Sequence, residues 1–178
     1  MKPITACAVA SVFALNAADA LSATAYVSNE KSNTISVVDL DRMEVTATIP
    51  VGQRPRGITL SLDKRYLYIC ASDEDHIEVL DLESMEVIRT LPSGPDPELF
   101  ILSPDGTRLY VANEDDNMVS VLNLEAQAIE TEIPVGVEPE GMGVSPDGKW
   151  LVNTSETTNM AHFIDTETLE LSDSGLVD

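Results

Sequence analysis

The chain has 178 residues, of which 31 are acidic and 10 are basic, so its formal net charge is −21 at pH 7. This length is sufficient for one domain with a buried core. The charge argues against nucleic acid and anionic lipid as partners, because both would be repelled. It favours cationic partners or metal ions, or simply an acidic, well-solvated surface.

The first 20 residues have the pattern of a secretory signal peptide. Lys2 supplies a positive charge, residues Ile4–Ala14 are apolar or small, and Ala18–Ala20 reads Ala-Asp-Ala, a typical cleavage site. No later segment is long and apolar enough to span a bilayer. We therefore expect a periplasmic or secreted protein. Cys7 would leave with the signal, and Cys70 would remain as a lone, small strand residue.

A repeat of 42 residues runs through the remaining chain without insertion or deletion. Four sets of residues recur at this step: Asp39, Asp81, Asn123 and Asp165; Gly52, Gly94 and Gly136; Pro55, Pro97 and Pro139; Ser61, Ser103 and Ser145. A period of roughly 40–45 residues made of short strands is typical of the blades of a β-propeller. The predicted fold is all-β, with four-stranded antiparallel blades.

The third repeat shows the expected strands of one blade. They are Leu99–Leu102, Leu109–Asn113, Val119–Leu124 and Ile129–Val135, and the turn Ser103–Gly106 has the Pro and Gly positions of a type I turn. Apolar residues on both faces of these strands indicate sheets packed between two neighbours.

Residues 21–178 are predicted to form a partial propeller of about four blades. Complete blades are expected at 55–94, 97–136 and 139–178, and the first blade contributes only its second to fourth strands, at 24–52. No strand after Asp178 exists to complete the first blade. We therefore expect either a truncated reading of a longer protein or a half-ring that self-associates through its open blade edges.

The repeat core resembles the YVTN family of β-propeller repeats. The resemblance rests on Tyr110–Asn113 followed by Val119–Asn123, and on Tyr26–Asn29 followed by Ile35–Asp39. With the signal peptide, the 42-residue step and the ending Leu-Val-Asp, the chain is most similar to the seven-repeat periplasmic propellers associated with PQQ-dependent alcohol catabolism. This resemblance implies a seven-bladed ring. It also implies a periplasmic protein partner, such as a quinoprotein dehydrogenase, a cytochrome or a transporter component.

The loops from fourth to first strand and from second to third strand are expected on one face of the propeller. Together they hold twelve acidic and three basic residues, and Arg56, Glu98 and Glu140 are repeat-equivalent, which would place them around the channel mouth. The predicted partner-binding residues are Arg54, Arg56, Glu98, Glu140, Asp73, Asp75, Asp115 and Asp116. Either this face docks a cationic protein or ligand, or its acidic loops are solvated turns.

The sequence predicts no metal and no cofactor. The segment Asp73–Asp75 lacks the spacing of a calcium loop. His76, Met118 and Met160 share a repeat position but lie in different blades, too far apart for a common metal. His162 lies on a third strand, and the sequence shows no partner pattern near it. Trp150 is the only tryptophan, which argues against PQQ binding.

The favoured functional hypothesis is a non-enzymatic binding or scaffold propeller in the periplasm. It would be accessory to PQQ-dependent alcohol catabolism or to a linked transport system. The sequence contains no Gly-x-Ser-x-Gly motif and only two histidines, so nucleophilic catalysis has little support. The alternative is a lactonase-like propeller enzyme, in which carboxylates such as Glu98 and Glu140 act on a small sugar-derived lactone or act through a metal ion.

Overall fold

Fifteen short β-strands make up about three-fifths of the described chain, and tight turns and short loops connect them. The structure is a computed structural model that describes residues 23–177, so the predicted signal peptide and Cys7 lie outside the described residues. The strands are β1 Thr24–Asn29, β2 Thr34–Asp39, β3 Glu44–Pro50, β4 Pro55–Leu60, β5 Tyr66–Ala71, β6 His76–Asp81, β7 Glu86–Pro92, β8 Pro97–Leu102, β9 Arg108–Asn113, β10 Met118–Asn123, β11 Ala128–Pro134, β12 Pro139–Val144, β13 Trp150–Ser155, β14 Met160–Asp165 and β15 Glu170–Leu176.

These strands form four separate antiparallel sheets in chain order. Sheet 1 contains β1–β3, and sheets 2, 3 and 4 contain β4–β7, β8–β11 and β12–β15. Within each sheet, strands that are neighbours in sequence pair with each other. This arrangement confirms the predicted fold class, with strand ends that differ from the expected ones by one or two residues. Between residues 23 and 177 no helix has the length and apolar character needed to cross a membrane.

The turn that joins the first two strands of each complete sheet is held by one serine. Ser103 Oγ lies 2.6 Å from Asp105 Oδ1 and accepts the backbone N–H of Arg108 at 3.0 Å. Ser61 and Ser145 make the equivalent contacts in the other two sheets. Gly106 adopts a positive φ of 72°, a conformation that favours glycine. The repeated Ser therefore fixes the tight turn, and its left-handed position is occupied by Gly106 and Gly148 in sheets 3 and 4 and by Lys64 in sheet 2.

The core of the protein lies between sheets rather than within any one of them. Alternate residues of β5 face opposite neighbours: Leu67 and Ile69 pack with apolar residues of sheet 1, whereas Tyr68 and Cys70 pack with residues of sheet 3. A third cluster, which includes Tyr110, joins sheets 3 and 4. Both faces of the middle sheets are thus buried, which explains their apolar residues on both sides.

The first strands of sheets 2, 3 and 4 lie side by side. β4 packs against β8 and β8 packs against β12, while β1 contacts β4. This is the arrangement of inner strands around the channel of a propeller. Residues that hold the same position on β4, β8 and β12 are therefore neighbours in space. The candidate site lies where the first residues of these strands meet.

Two glycines, one in the loop before β12 and one within β12, should respond differently to replacement by alanine. A Cβ on Gly136 would lie 2.6 Å from His162 Nε2, whereas a Cβ on Gly143 would have no neighbour within 4 Å. Gly136→Ala is therefore expected to lower the free energy of unfolding by about 1–3 kcal/mol, because the neighbouring side chains must move. The measurement is urea unfolding of the full chain.

Gly143→Ala is the matched control for this comparison. It is expected to change the free energy of unfolding by less than about 1 kcal/mol, since it meets open space and restricts the unfolded chain. Equal losses of stability in the two variants would contradict the steric explanation.

Candidate functional site

A repeated hydrogen bond between neighbouring sheets positions the loops that enter β4, β8 and β12. Three loop residues have a left-handed backbone, and the N–H of each donates to a turn residue of the preceding sheet. The pairs are Arg54 with Asn33 Oδ1 at 3.1 Å, Asp96 with Asp75 Oδ1 at 3.0 Å, and Glu138 with Asn117 Oδ1 at 3.1 Å. A positive φ is uncommon for such residues, so the side-chain acceptors stabilise a loop shape that the chain would otherwise seldom adopt.

Arg56, Glu98 and Glu140 are brought together at the start of the three inner strands. Arg56 Nη2 pairs with Glu98 Oε2 and lies 2.9 Å from Glu140 Oε1. Arg56 Nη1 is 3.4 Å from Glu30 Oε1 on the loop after β1. The side chains of Arg56 and Glu140 are 28% and 40% exposed, whereas that of Glu98 is 1% exposed. Glu98 therefore lies beneath Arg56, and Glu140 lies beside it within reach of solvent.

Arg54 forms a second contact to the same buried carboxyl group. Its Nη2 lies 3.1 Å from Glu98 Oε1 and also pairs with Asp96, while its Nε is 2.8 Å from Asp73 Oδ1. Glu98 thus has one guanidinium at each oxygen. The two arginines contact five carboxylates, so most of their positive charge is neutralised within the site.

Burial changes the acidity of Glu98. Removal from water raises the pKa of Glu98 to about 7, although Arg56 and Arg54 lower it; Glu114 and Asp96 add to the increase. A carboxyl group with a pKa near neutrality changes its charge in the pH range where many enzymes work. We therefore define the candidate site as Arg54, Arg56, Asp96, Glu98 and Glu140.

The other predicted partner-binding residues have different positions. Asp73 pairs with Arg54, and Asp75 accepts the loop N–H of Asp96. Asp116 Oδ1 accepts the N–H of Met118 at 3.2 Å, and burial raises the pKa of Asp116. Asp115 is exposed. Binding of a partner to this face stays a prediction.

Three acidic residues of the site region were not among the predicted binding residues. Glu30, Asp96 and Glu114 lie on the loops whose acidic character the sequence reveals. Asp96 occupies the repeat position of Arg54, and this equivalence could have predicted that Asp96 lies at the site. Glu30 and Glu114 follow equivalent second strands, but nothing in their spacing marks contact with Arg56 or Glu98.

His162, near which the sequence shows no partner pattern, makes hydrogen-bond contacts with three residues. Its Nε2 accepts the N–H of Gly136 at 2.9 Å and lies 3.2 Å from Ser155 Oγ, while its Nδ1 is 2.8 Å from Ser174 Oγ. Burial lowers the pKa of His162. The partners come from three separate segments of the chain, so spacing along the chain did not show them.

Comparison with known proteins identifies the family. The model of the seven-bladed β-propeller lactonases matches residues 15–130, which is more than half of the chain. The chain belongs to this family. The hydrazine synthase of Kuenenia stuttgartiensis is structurally similar, with a TM-score of 0.81 and 25% sequence identity over 86% of this chain. The chain spans 46% of that structure's length. No curated protein matches the sequence.

The family assignment corrects one functional prediction. The hypothesis that the protein is not an enzyme is contradicted by its membership of a family of lactonases. The missing Gly-x-Ser-x-Gly motif and the low number of histidines argue only against nucleophilic catalysis, and hydrolysis of a lactone does not need a covalent nucleophile. The alternative hypothesis, a lactonase-like propeller, is the better supported of the two.

The raised pKa of Glu98 predicts a specific dependence of stability on pH. The folded chain keeps the proton up to about pH 7, whereas the unfolded chain loses it near the ordinary value of 4.5. Between these values the folded state binds more protons, so the contribution of Glu98 to stability falls as pH rises, by at most about 1.4 kcal/mol per pH unit. Above about pH 7 this contribution is constant.

Comparison with Glu98→Gln isolates the pH-dependent contribution of Glu98 to stability, because glutamine does not titrate. The expected result is that the difference in unfolding free energy, wild type minus variant, decreases from about pH 5 to about pH 7 and is then level. Urea unfolding of both proteins at several pH values measures it. A difference that is independent of pH would show that Glu98 titrates normally.

Proposed function

We propose that the protein hydrolyses the ester bond of a small, sugar-derived lactone at the Arg54–Arg56–Glu98–Glu140 site. The observation that carries this proposal is the pair of partly exposed guanidiniums fixed by one buried carboxyl group, with the accessible carboxylate of Glu140 beside them. Membership of the lactonase family supports the reaction class. The geometry suggests a role for each side chain.

Lactone hydrolysis requires a proton acceptor for water and a donor for the developing oxyanion. Glu140 is the accessible carboxylate, so it would take a proton from water as the water oxygen attacks the carbonyl carbon. Arg56 would stabilise the negative charge that forms on the carbonyl oxygen. The bond between that carbon and the ring oxygen then breaks, and the ring oxygen receives the proton from Glu140. The product is the open hydroxy acid.

Glu98 would act as a positioning residue in this scheme. Its side chain is 1% exposed and has one guanidinium at each carboxylate oxygen. When Glu98 is ionised, the charge attraction holds Arg54 and Arg56 at a fixed distance from each other. Rigid placement of donors before the reaction is a major source of stabilisation of the transition state.

The charge balance of the site favours a neutral substrate. Two arginines contact Glu30, Asp73, Asp96, Glu98 and Glu140. A phosphate or carboxylate on the substrate would have to displace one of these groups from an arginine. Hydroxyl groups of a neutral sugar lactone can instead donate to the carboxylates, which makes an uncharged polyol lactone the preferred substrate class.

The predicted association with PQQ-dependent alcohol catabolism is consistent with such a reaction. Oxidation of a cyclic sugar hemiacetal produces a lactone, and a lactonase in the same compartment would consume that product. We retain the periplasmic location and an oxidoreductase or transporter partner as proposals. The signal-peptide pattern and the YVTN-like repeats support them.

The test is hydrolysis of glucono-δ-lactone by the full chain, followed in a pH-stat with subtraction of the spontaneous rate. Glu140→Gln is expected to lower the turnover rate about 10²–10⁴-fold, as the loss of a general base does. Arg56→Ala is expected to lower it about 10²–10³-fold through loss of oxyanion stabilisation. Glu98→Gln is expected to remove a rise in rate that occurs through about pH 7.

Glu86→Gln is the control, since Glu86 is an exposed residue at the start of an outer strand. Its activity is expected to equal that of the wild type. Equal activity of Glu140→Gln, Arg56→Ala and the wild type would contradict the proposed site. Absence of any turnover by the wild type on neutral lactones would contradict the proposed function.

A further inference from the structure

A polar cluster beneath the loop glycine differs between the repeats. In sheet 3, Asn113 Nδ2 donates to Ser120 Oγ at 2.7 Å, and this nitrogen would lie 2.7 Å from a Cβ on Gly94. In sheet 1, Asn29 Nδ2 donates to Ser36 Oγ at 2.8 Å. An amide group thus supplies the central hydrogen-bond donor in both sheets.

Sheet 2 has the same backbone but lacks this donor. Ala71 occupies the repeat position of Asn29 and Asn113, and the surrounding positions carry Glu74, His76 and Glu78. Above them, a Cβ on Gly52 would lie 3.0 Å from Glu74 Oε2 and 3.2 Å from Glu78 Oε1. Two carboxylates and an imidazole therefore surround the place where sheets 1 and 3 have an amide nitrogen.

Backbone groups orient all three side chains. Glu78 Oε2 accepts the N–H of Gly52 at 2.9 Å, and Glu74 Oε1 accepts the N–H of Gln53 at 3.3 Å. His76 Nδ1 lies 2.9 Å from the carbonyl oxygen of Glu74. Because a carbonyl oxygen only accepts, Nδ1 carries a proton. In the neutral ring Nε2 then presents a lone pair, and Nε2 is buried without a hydrogen-bond partner.

The ligand atoms that converge here have the separations of a metal site. The three side chains each place one ligand atom within 4.8 Å of the others. His76 Nε2 lies 3.6 Å from Glu74 Oε2, which is too long for a hydrogen bond. Tetrahedral ligands about 2.0–2.1 Å from Zn²⁺ lie about 3.4 Å from one another. A backbone carbonyl that holds the second ring nitrogen is typical of a histidine bound to zinc.

We propose that Glu74, His76 and Glu78 bind a Zn²⁺ ion, with water as the fourth ligand. The cation would replace the amide donor of sheets 1 and 3, and it would lie between the lone pair of Nε2 and the two carboxylates. The site does not depend on the proposed lactonase activity. Its ion would fix Gly52 and Gln53, the residues that lead into Arg54, and so strengthen the loop that enters β4.

The test is isothermal titration of the metal-stripped full chain with ZnCl₂, in the absence of lactone. The wild type is expected to bind one Zn²⁺ at this cluster, and His76→Gln is expected to weaken the binding at least about 100-fold, since it removes a ligand. Glu114→Gln is the control, because Glu114 belongs to a separate acidic cluster with Asp96 and Glu98. Its affinity for Zn²⁺ is expected to be unchanged.

Ala71→Asn provides a second variant that keeps all three ligands. The new amide would occupy the position of the metal, as Asn113 does in sheet 3, and Zn²⁺ binding should be lost while cooperative unfolding is retained. Three outcomes would overturn the proposal: no Zn²⁺ binding by the wild type, unchanged binding by His76→Gln, or loss of binding in Glu114→Gln.

Discussion

The hydrogen bond between the turn of one sheet and the loop into the next determines much of this structure. Asn33, Asp75 and Asn117 each offer a side-chain oxygen to a loop residue with a left-handed backbone. Apolar packing between sheets is non-directional, and it would allow neighbouring sheets to slide or rotate. The directional bond fixes their relative position at the edge where the candidate site lies. Apolar packing between sheets thus stabilises the fold, and the hydrogen bond fixes how neighbouring sheets are positioned relative to each other.

A backbone repeated with this accuracy allows chemistry to differ at single positions. Position 56 of the second repeat is arginine, and its equivalents in the next two repeats are Glu98 and Glu140. Because the three inner strands are adjacent, a change of side-chain charge between repeats becomes an ion pair in space. The same principle applies beneath the loop glycines, where Asn113 and Ala71 occupy equivalent positions. The amide of Asn113 donates a hydrogen bond, whereas the methyl group of Ala71 cannot. Function arises here from departures from the repeat.

The repeat explains why the sequence predicts the fold so well and the site less completely. The 42-residue step determines strand order, turn positions and the meeting of Arg56, Glu98 and Glu140. It does not determine side-chain direction at positions with unusual backbone angles. Arg54 reaches Glu98 because its φ is 51°, and the sequence contains no sign of that angle. The pKa of Glu98 likewise depends on burial by the surrounding sheets, which is a property of the assembled structure.

The loop from Gly52 to Arg56 connects the two clusters of charged side chains. At one end, the N–H groups of Gly52 and Gln53 donate to Glu78 and Glu74; at the other, Arg54 and Arg56 contact Glu98. A carboxylate that accepts a backbone N–H loses freedom to move, and it restricts the loop in return. The backbone of this loop therefore links the carboxylates of Glu74 and Glu78 to the two guanidiniums. Glu74 and Glu78 therefore hold the two residues that immediately precede Arg54.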